Sequence, residues 1–387
     1  MAAHVVVLGS GYAGAGAVKS LEAARDGDVE LTWVSDIDHH LVLHESHRCI
    51  RDPGVREKVA IPIGEIKPPG SSFRQGEVVG IDTDARTVRL ADGSIEYDYL
   101  LVGLGTRTAF FGIEGLRDHA HTLTDLADVL GIHEDVVTQA GAATAADPAR
   151  VVVGGAGLSG IQTAGELAEL RDDRGLPVEI VLLEGLDEIL PGSDPALQAA
   201  LRERLEARGV DIRTGEFVGE VDEETVYVGE TGEVDYDVLV WTGGVTGREA
   251  LAEADLDKDD RSHRLHAGQD FRTDDERVFA IGDCALIDQP GSDPAPPTAQ
   301  AAWQAAEVAG RNVVRAVRGQ PLQRWTYDDK GTVVSVGEAA VAHDVAGVPV
   351  VDTFGGFPAQ TLKKAIAARW INTVAGTGRA LRAWPDM

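Results

Sequence analysis

Gly155, Gly157 and Gly160 follow the apolar run Val151-Val152-Val153 and give the spacing G-x-G-x-x-G. The chemistry served by that spacing is capture of a pyrophosphate. The first glycine allows a tight turn after a strand, the second lets backbone approach the phosphates, and the third lets the next helix pack on the strand. That helix, entered through Leu158 and Ser159, offers unpaired N–H groups and the positive end of its dipole. Val178–Leu183 reads as the next strand and ends at Glu184, 24 residues after Gly160. An acid at that distance is placed to bind both hydroxyls of an adenine ribose and to repel a 2′-phosphate. A lone G-x-G-x-x-G is a weak signal; strand, turn, helix, strand and acid in sequence make a dinucleotide site.

The same chemistry occurs at the start of the chain. His4–Leu8 reads as a strand, Gly9-Ser10-Gly11-Tyr12-Ala13-Gly14 is a second G-x-G-x-x-G, and Ala15–Ala24 can be its helix. The following strand, Val29–Val34, carries Ser35 where an acid is expected, and Asp36 stands one residue late. The repetition extends further. Thr87-Val88-Arg89-Leu90 with Asp92–Asp98 matches Thr225-Val226-Tyr227-Val228 with Gly232–Asp237, both alternating hairpin patterns around glycine turns. Each leads into an apolar strand that ends in glycine, at Gly103 and Gly105 in one copy and at Gly243 and Gly244 in the other. From the first motif glycine to the Tyr-Asp pair is 88 residues in the first copy and 81 in the second. The chain thus holds two copies of one dinucleotide-binding unit, the second inserted in the first, and two such sites imply two cofactors that meet. Beyond the second copy, Val278–Ile281 runs into Gly282-Asp283, residues 289–297 read as a loop, and Thr298–Val317 reads as a helix.

The elements that must position these residues follow from size and pattern. The sequence has 387 residues, enough for two or three domains with sizeable cores. The fold expected is α/β, with two Rossmann-like domains. Residues 1–112 and 245–322 form one, 113–244 the inserted one, and 323–387 a C-terminal segment. The net charge is −29, with 64 acids against 35 Lys and Arg spread through the chain. That excess reads as a surface adapted to high salt, where repulsion is screened. No basic stripe runs through the body, so nucleic acid is not an expected partner. Cys49 and Cys284 lie far apart and in no C-x-x-C, which excludes a disulfide framework and a zinc or iron–sulfur site, so no metal is expected. No apolar run approaches the ~20 residues that span a bilayer. Residues 353–385 reverse the charge balance, with Lys363, Lys364, Arg369, Arg379 and Arg382 and no acid. A helix over 360–374 is expected there, with Leu362, Ile366, Trp370 and Val374 on one stripe that Lys363 interrupts.

Taken together, Gly9–Gly14, Tyr97–Gly105, Gly155–Gly160 with Glu166, and Ile281-Gly282-Asp283 resemble the two-dinucleotide flavoproteins related to disulfide reductases. Within them, Pro297–Ala302 and Lys330–Gly337 look like type II NADH:quinone oxidoreductases, as does Asp38-His39-His40-Leu41 with changes. The resemblance implies a non-proton-pumping enzyme with FAD and NAD as cofactors. It implies that Gly9, Gly11, Tyr12, Ala13 and Gly14 hold the FAD pyrophosphate, with Asp36 at its ribose, Val78 at its adenine, Asp283 at its ribityl chain, and Gly105 nearby. Ala299 and Gln300 are implied beside the flavin ring where quinone arrives, and Lys330 close to the flavin. NADH is implied on Gly155, Gly157, Leu158, Ser159, Gly160, Glu184 and Gly243. Glu166 is implied at the flavin near the nicotinamide, and the acid that many relatives carry upstream of it is Gln162 here. Catalytic work is expected of Glu166, Lys330 and Gln300. With no thiol pair, electrons are expected to leave for a membrane quinone. The tail is then a monotopic anchor on the inner face of the cell membrane, for a protein otherwise cytoplasmic; the same helix could instead pack on the body or on a second copy in a homodimer. Three alternatives stay open: a soluble reductase of a ferredoxin- or rubredoxin-like protein, a sulfide:quinone oxidoreductase-like enzyme, and a nucleotide-binding redox sensor.

Overall fold

Two parallel sheets carry the architecture. The computed structural model describes residues 2–347 and 352–387. In the first sheet, Ala3–Leu8 lies at the centre, with Val29–Ser35 and then Ser72–Gln75 on one side, and Tyr99–Val102 and then Val278–Ala280 on the other. In the second, Ala149–Gly154 is central, between Val178–Glu184 with Val210–Thr214 and Val238–Trp241. Strand by strand the two sheets correspond, and both central strands are near-continuous Val, buried on both faces. The extra strand of the first sheet, Val278–Ala280, comes after the whole second unit, which is the structural form of the inferred insertion.

The duplication reaches the small antiparallel sheets. Val78–Asp82, Thr87–Leu90 and Gly93–Glu96 form one; Val218–Val221, Thr225–Val228 and Gly232–Asp235 form the other. Both have a register shift on the first strand, between Val78 and Gly80 and between Val218 and Glu220. A bulge kept in both copies is a feature of the unit rather than an accident of one strand.

Small residues bring the first motif helix, Tyr12–Ala24, against Ala299–Val317. A Cβ on Gly16 would stand 2.8 Å from Ala306 Cβ, and one on Gly310 2.1 Å from Ser20 Oγ. The Ser20 hydroxyl donates to the Ala306 carbonyl at 2.6 Å. The alanine-rich sequence is therefore a close-packing surface, and it fixes the helix that starts at Ala299 relative to the first glycine turn.

The expected tail helix is present, over Phe357–Ala375, but its buried face differs from the expected stripe: the buried positions are Ala359, Lys363, Ala367, Trp370, Ile371 and Val374. Leu362 is half-covered and Ile366 is exposed. The expected stripe is split because the helix is wedged between two partners. Ala359 and Leu362 pack on Ala340 and Ala342 of the antiparallel sheet Thr332–Val336, Ala339–His343 and Thr353–Gly355. Trp370 packs on Tyr12 and Trp303 of the body, with ring centroids 4.8 and 4.9 Å apart. Lys363, expected as an interruption, lies at the centre of the buried face because polar groups meet its ammonium there. Gly376 ends the helix at φ +88°, and Gly378 lies inside the last helix, Thr377–Ala383.

Candidate active site

The two glycine turns have nearly the same backbone. Gly9 has φ +94° and Gly155 φ +95°; Gly11 sits at φ −69°, ψ −168° and Gly157 at φ −73°, ψ −171°. Steric room explains each glycine. A Cβ on Gly9 would meet Gly103 O at 2.2 Å, and one on Gly155 would meet Gly243 Cα at 2.6 Å. A Cβ on Gly14 or Gly160 would strike the carbonyl of the first glycine, at 1.9 and 1.8 Å. Gly11 and Gly157 instead face open space, with no atom within 4 Å of an added Cβ. Each is the N-cap of its helix and supplies no side-chain cap, so the first N–H groups of Tyr12–Ala24 and Leu158–Arg174 are left for a ligand. Leu158 and Ser159 are exposed beside the second turn. Both cradles therefore fit a dinucleotide pyrophosphate.

The residues around the cradles differ between copies. Glu184 ends its strand with Oε2 accepting from Ala156 N–H at 2.8 Å and Oε1 from Leu186 N–H at 3.0 Å. Its carboxylate thus ties strand end to glycine turn and keeps lone pairs for a ribose. In the first copy Ser35 takes that position and donates to Ser10 Oγ at 2.9 Å, while Asp36 is half-exposed, 3.6 Å from Arg248 Nη1. Val78 is half-buried at its strand start. Gly105, at φ +67°, also faces open space. Asp283 lies in the turn after Val278–Ala280, where burial pushes its carboxyl up to about 6 against the pull of Arg264. Ala299 begins the helix capped by Thr298. Gln300 and Lys330 are brought together: Lys330 N–H donates to Gln300 Oε1 at 2.7 Å and Gln300 Nε2 to Gly331 O at 3.2 Å. The Lys330 ammonium, however, is exposed and paired with Asp328. Among the described residues, no hydrogen bond or ion pair joins Glu166 to Gln300 or Lys330.

Glu166 instead belongs to a buried charged cluster. Its Oε2 lies 3.3 Å from Arg51 Nε, and neither of its oxygens accepts a hydrogen bond. Burial raises its pKa to about 7, against the pull of Arg48, Arg51 and Lys363. Lys363 is only 3 % exposed. Burial lowers its pKa to about 8 although Glu45, at 3.7 Å, holds the proton on. Burial also raises Glu45, but Lys363, Arg48 and His44 outweigh it and hold that carboxyl below its ordinary range. Arg48 Nε donates to Glu45 Oε2 at 2.6 Å. His47, kept neutral by burial and by Lys363, lies 3.0 Å from the Ser335 hydroxyl, which also accepts from Gln162 at 3.2 Å and from Lys363. Two groups of opposite charge type in one buried cluster, each feeling the other's charge, are therefore moved by burial toward neutrality, an arrangement able to hold and release protons at working pH. A cavity of about 290 Å³ adjoins the cluster, lined by Arg48, Ser335, Glu338, Phe357, Lys363 and Trp384 among others.

Sequence reading reached Glu166 but not Glu45, Arg48, Arg51 or Lys363. The one available signal was a lysine inside an apolar helical stripe in a chain with few lysines. Cys49 and Cys284 are both free and fully buried, and burial raises their thiols to about 12 and 11.

Residues 3–306 match the family model described as pyridine nucleotide-disulphide oxidoreductase. The chain is 30 % identical to the type II NADH:quinone oxidoreductase of Staphylococcus aureus, over 98 % of this chain and 97 % of that protein. Its fold is similar to that of NDH2 from Plasmodium falciparum in complex with NADH, at a TM-score of 0.84 and 16 % identity, covering 100 % of this chain and 98 % of that one. It is also similar to sulfide:quinone oxidoreductase from Aquifex aeolicus, at 0.80 and 22 % identity, covering 97 % and 92 %.

Proposed function

The chain belongs to the pyridine nucleotide-disulphide oxidoreductases and, within them, to the type II NADH:quinone oxidoreductases, and from that premise we propose which of its residues bind, orient and supply protons. It is an FAD-dependent enzyme that oxidises NADH and reduces a quinone. When bound, FAD supplies the two-electron chemistry between nicotinamide and quinone. The protein's part is binding, positioning and proton supply. Gly9, Gly11, Tyr12, Ala13 and Gly14 hold the FAD pyrophosphate; Asp36 and Val78 hold its adenosine, Asp283 its ribityl chain, and Gly105, Ala299, Gln300 and Lys330 border the ring. Gly155, Gly157, Leu158, Ser159, Gly160 and Gly243 hold NADH, with Glu184 on its adenine ribose.

Oxidation of NADH by a quinone consumes one proton overall, since the hydride accounts for one of the quinol's two hydrogens and the other must be supplied as a proton. Glu166 and Lys363 are the groups that hold and relay that proton, and the single observation that carries this assignment is their shared burial. One carboxyl at about 7 and one ammonium at about 8 belong to one buried cluster, and Lys363 lines a cavity together with Phe357 and Trp384. No described helix is long and apolar enough to cross a membrane. The quinone is met at a surface: the exposed Phe357, Ile366, Leu381 and Trp384, with Lys364 and Arg382 among them, rest on the inner face of the cell membrane.

Stopped-flow absorbance tests the reading. NADH bleaches the flavin band, a menaquinone or ubiquinone analogue restores it, and Glu166→Gln slows the second phase alone. If quinone analogues fail to restore the band of the reduced protein, the acceptor is not a quinone.

A further inference from the structure

The peptide that aims Gly11 N–H is held differently from its counterpart in the second copy. In a trans peptide the C=O of one residue and the N–H of the next point in opposite directions. Whatever grips the Ser10 carbonyl on the protein side therefore directs Gly11 N–H toward the open cradle. In the second copy the equivalent carbonyl, Ala156 O, accepts from the backbone N–H of Leu190 at 2.8 Å. In the first copy the Ser10 carbonyl lies 2.7 Å from Nδ1 of His40, a fully buried imidazole. The tautomer is set by its other nitrogen. Trp370 Nε1–H, which can only donate, gives its hydrogen to His40 Nε2 at 2.7 Å, so Nδ1 carries the ring proton and donates to Ser10. Burial keeps the ring neutral by lowering its pKa to about 4. Tyr12, the first helical residue after Gly11, packs edge-on to His40 at 5.3 Å and against Trp370 at 4.8 Å.

The comparison within one chain separates the two designs. The NAD-type turn is fastened by backbone from its own unit. The FAD-type turn is fastened by a side chain whose orientation depends on a tryptophan more than 300 residues away, on the tail helix Phe357–Ala375. We propose that His40 is a positioning residue for the FAD pyrophosphate, latched by Trp370, so that flavin retention depends on the tail helix staying docked. This rests on the reading that the Gly9–Gly14 turn holds FAD.

The test measures the FAD dissociation constant of purified holoenzyme, from flavin fluorescence on dilution and on titration back into apo-protein. Trp370→Phe keeps the ring and removes the donor; it raises the constant about fivefold, the scale of one lost buried hydrogen bond. His40→Leu leaves the Ser10 carbonyl without a partner and raises it about tenfold or more. The KM for NADH moves less than about twofold in Trp370→Phe, because the Ala156–Leu190 bond is untouched. A plain packing defect has another signature: the thermal midpoint of the apo-protein falls and the FAD constant stays. That result, or an unchanged constant in both variants, overturns the latch. Gly11→Val distinguishes the underlying reading. If it loses FAD while Trp370→Phe and His40→Leu keep it, the latch alone is wrong; if it too keeps FAD, the turn does not hold flavin and the latch falls with it. Should His40→Leu fail to fold, Trp370→Phe decides.

Discussion

Arg51 lies 3.3 Å from Glu166, yet neither oxygen of that carboxyl accepts a hydrogen bond. An arginine that fully neutralised an acid would engage it through two parallel N–H donors. Here Arg51 spends its Nη1 on Glu338, at 2.5 Å, and only approaches Glu166 with Nε. Burial then outweighs the surrounding cations and leaves the carboxyl balanced between its two states at about pH 7.

If that balance feeds the quinone, turnover with a quinone analogue declines as pH rises through about 7, where Glu166 loses its proton. Glu166→Gln has no proton to lose. Its quinone-dependent turnover is lower by about 100-fold, the low end of the range for general acid–base groups, and the limb near pH 7 disappears. Bleaching by NADH stays within about threefold. The folded pKa is raised above the ordinary value of 4.5, so the linked stability is full below that value and is lost as pH rises through about 7. A kcat–pH profile that keeps its limb in the glutamine variant removes Glu166 from the proton route.

Lys363→Met probes the same cluster from the other side. The ammonium lowers the pKa of Glu166, so its removal moves the quinone-turnover limb to higher pH. Glu45 also loses a partner at 3.7 Å and keeps Arg48 at 2.6 Å. Breaking a buried ionic contact costs about 3–5 kcal/mol when no partner remains. With Arg48 in place a loss below about 3 kcal/mol is expected in urea unfolding at pH 7. A limb that moves to lower pH contradicts the coupling.

These residues mark where sequence reading stops. The duplicated turns were legible because each glycine answers a local steric demand: Gly14 and Gly160 would each strike a carbonyl five residues upstream. The hairpins were legible through alternation around glycine. The charged cluster was not, because the local pair Glu45 and Arg48 meets Glu166 and Lys363 only where tertiary packing brings in two helices from far along the chain. The tail stripe was misread for the same reason. Periodicity assumes one apolar partner, and this helix has a sheet on one side and an aromatic cluster with an ionic pocket on the other.

Glu184 carries the binding prediction. Both of its oxygens already accept from backbone N–H groups, so the carboxylate is fixed before NADH arrives. Glu184→Ala slackens the Ala156 end of the turn and, on the proposed assignment, would also remove a charge-assisted contact to the ribose. Steady-state assays are expected to show KM for NADH up by about 10- to 100-fold, with kcat within about threefold. Discrimination against NADPH narrows as well, because the repulsion of a 2′-phosphate is gone. An unchanged KM for NADH rejects the assignment.

The tail makes the last claim about place. Phe357 is 78 % exposed and Leu381 70 %, both outside the buried face of their helices. Fully burying a side chain of this size contributes ~1.5–3 kcal/mol, so Phe357→Ser with Leu381→Ser weakens co-sedimentation with lipid vesicles by at least about tenfold. In the proposed anchor Lys364 and Arg382 would draw the chain to anionic lipid, but at ~1 M KCl the Debye length is only ~3 Å and that attraction would be screened. Insertion therefore predicts binding that survives molar salt and depends on the two apolar residues. Binding abolished by salt and indifferent to the serine variants identifies attraction by charge alone. No vesicle binding, with a dimer that the same variants dissociate, assigns the face to a second copy of the chain.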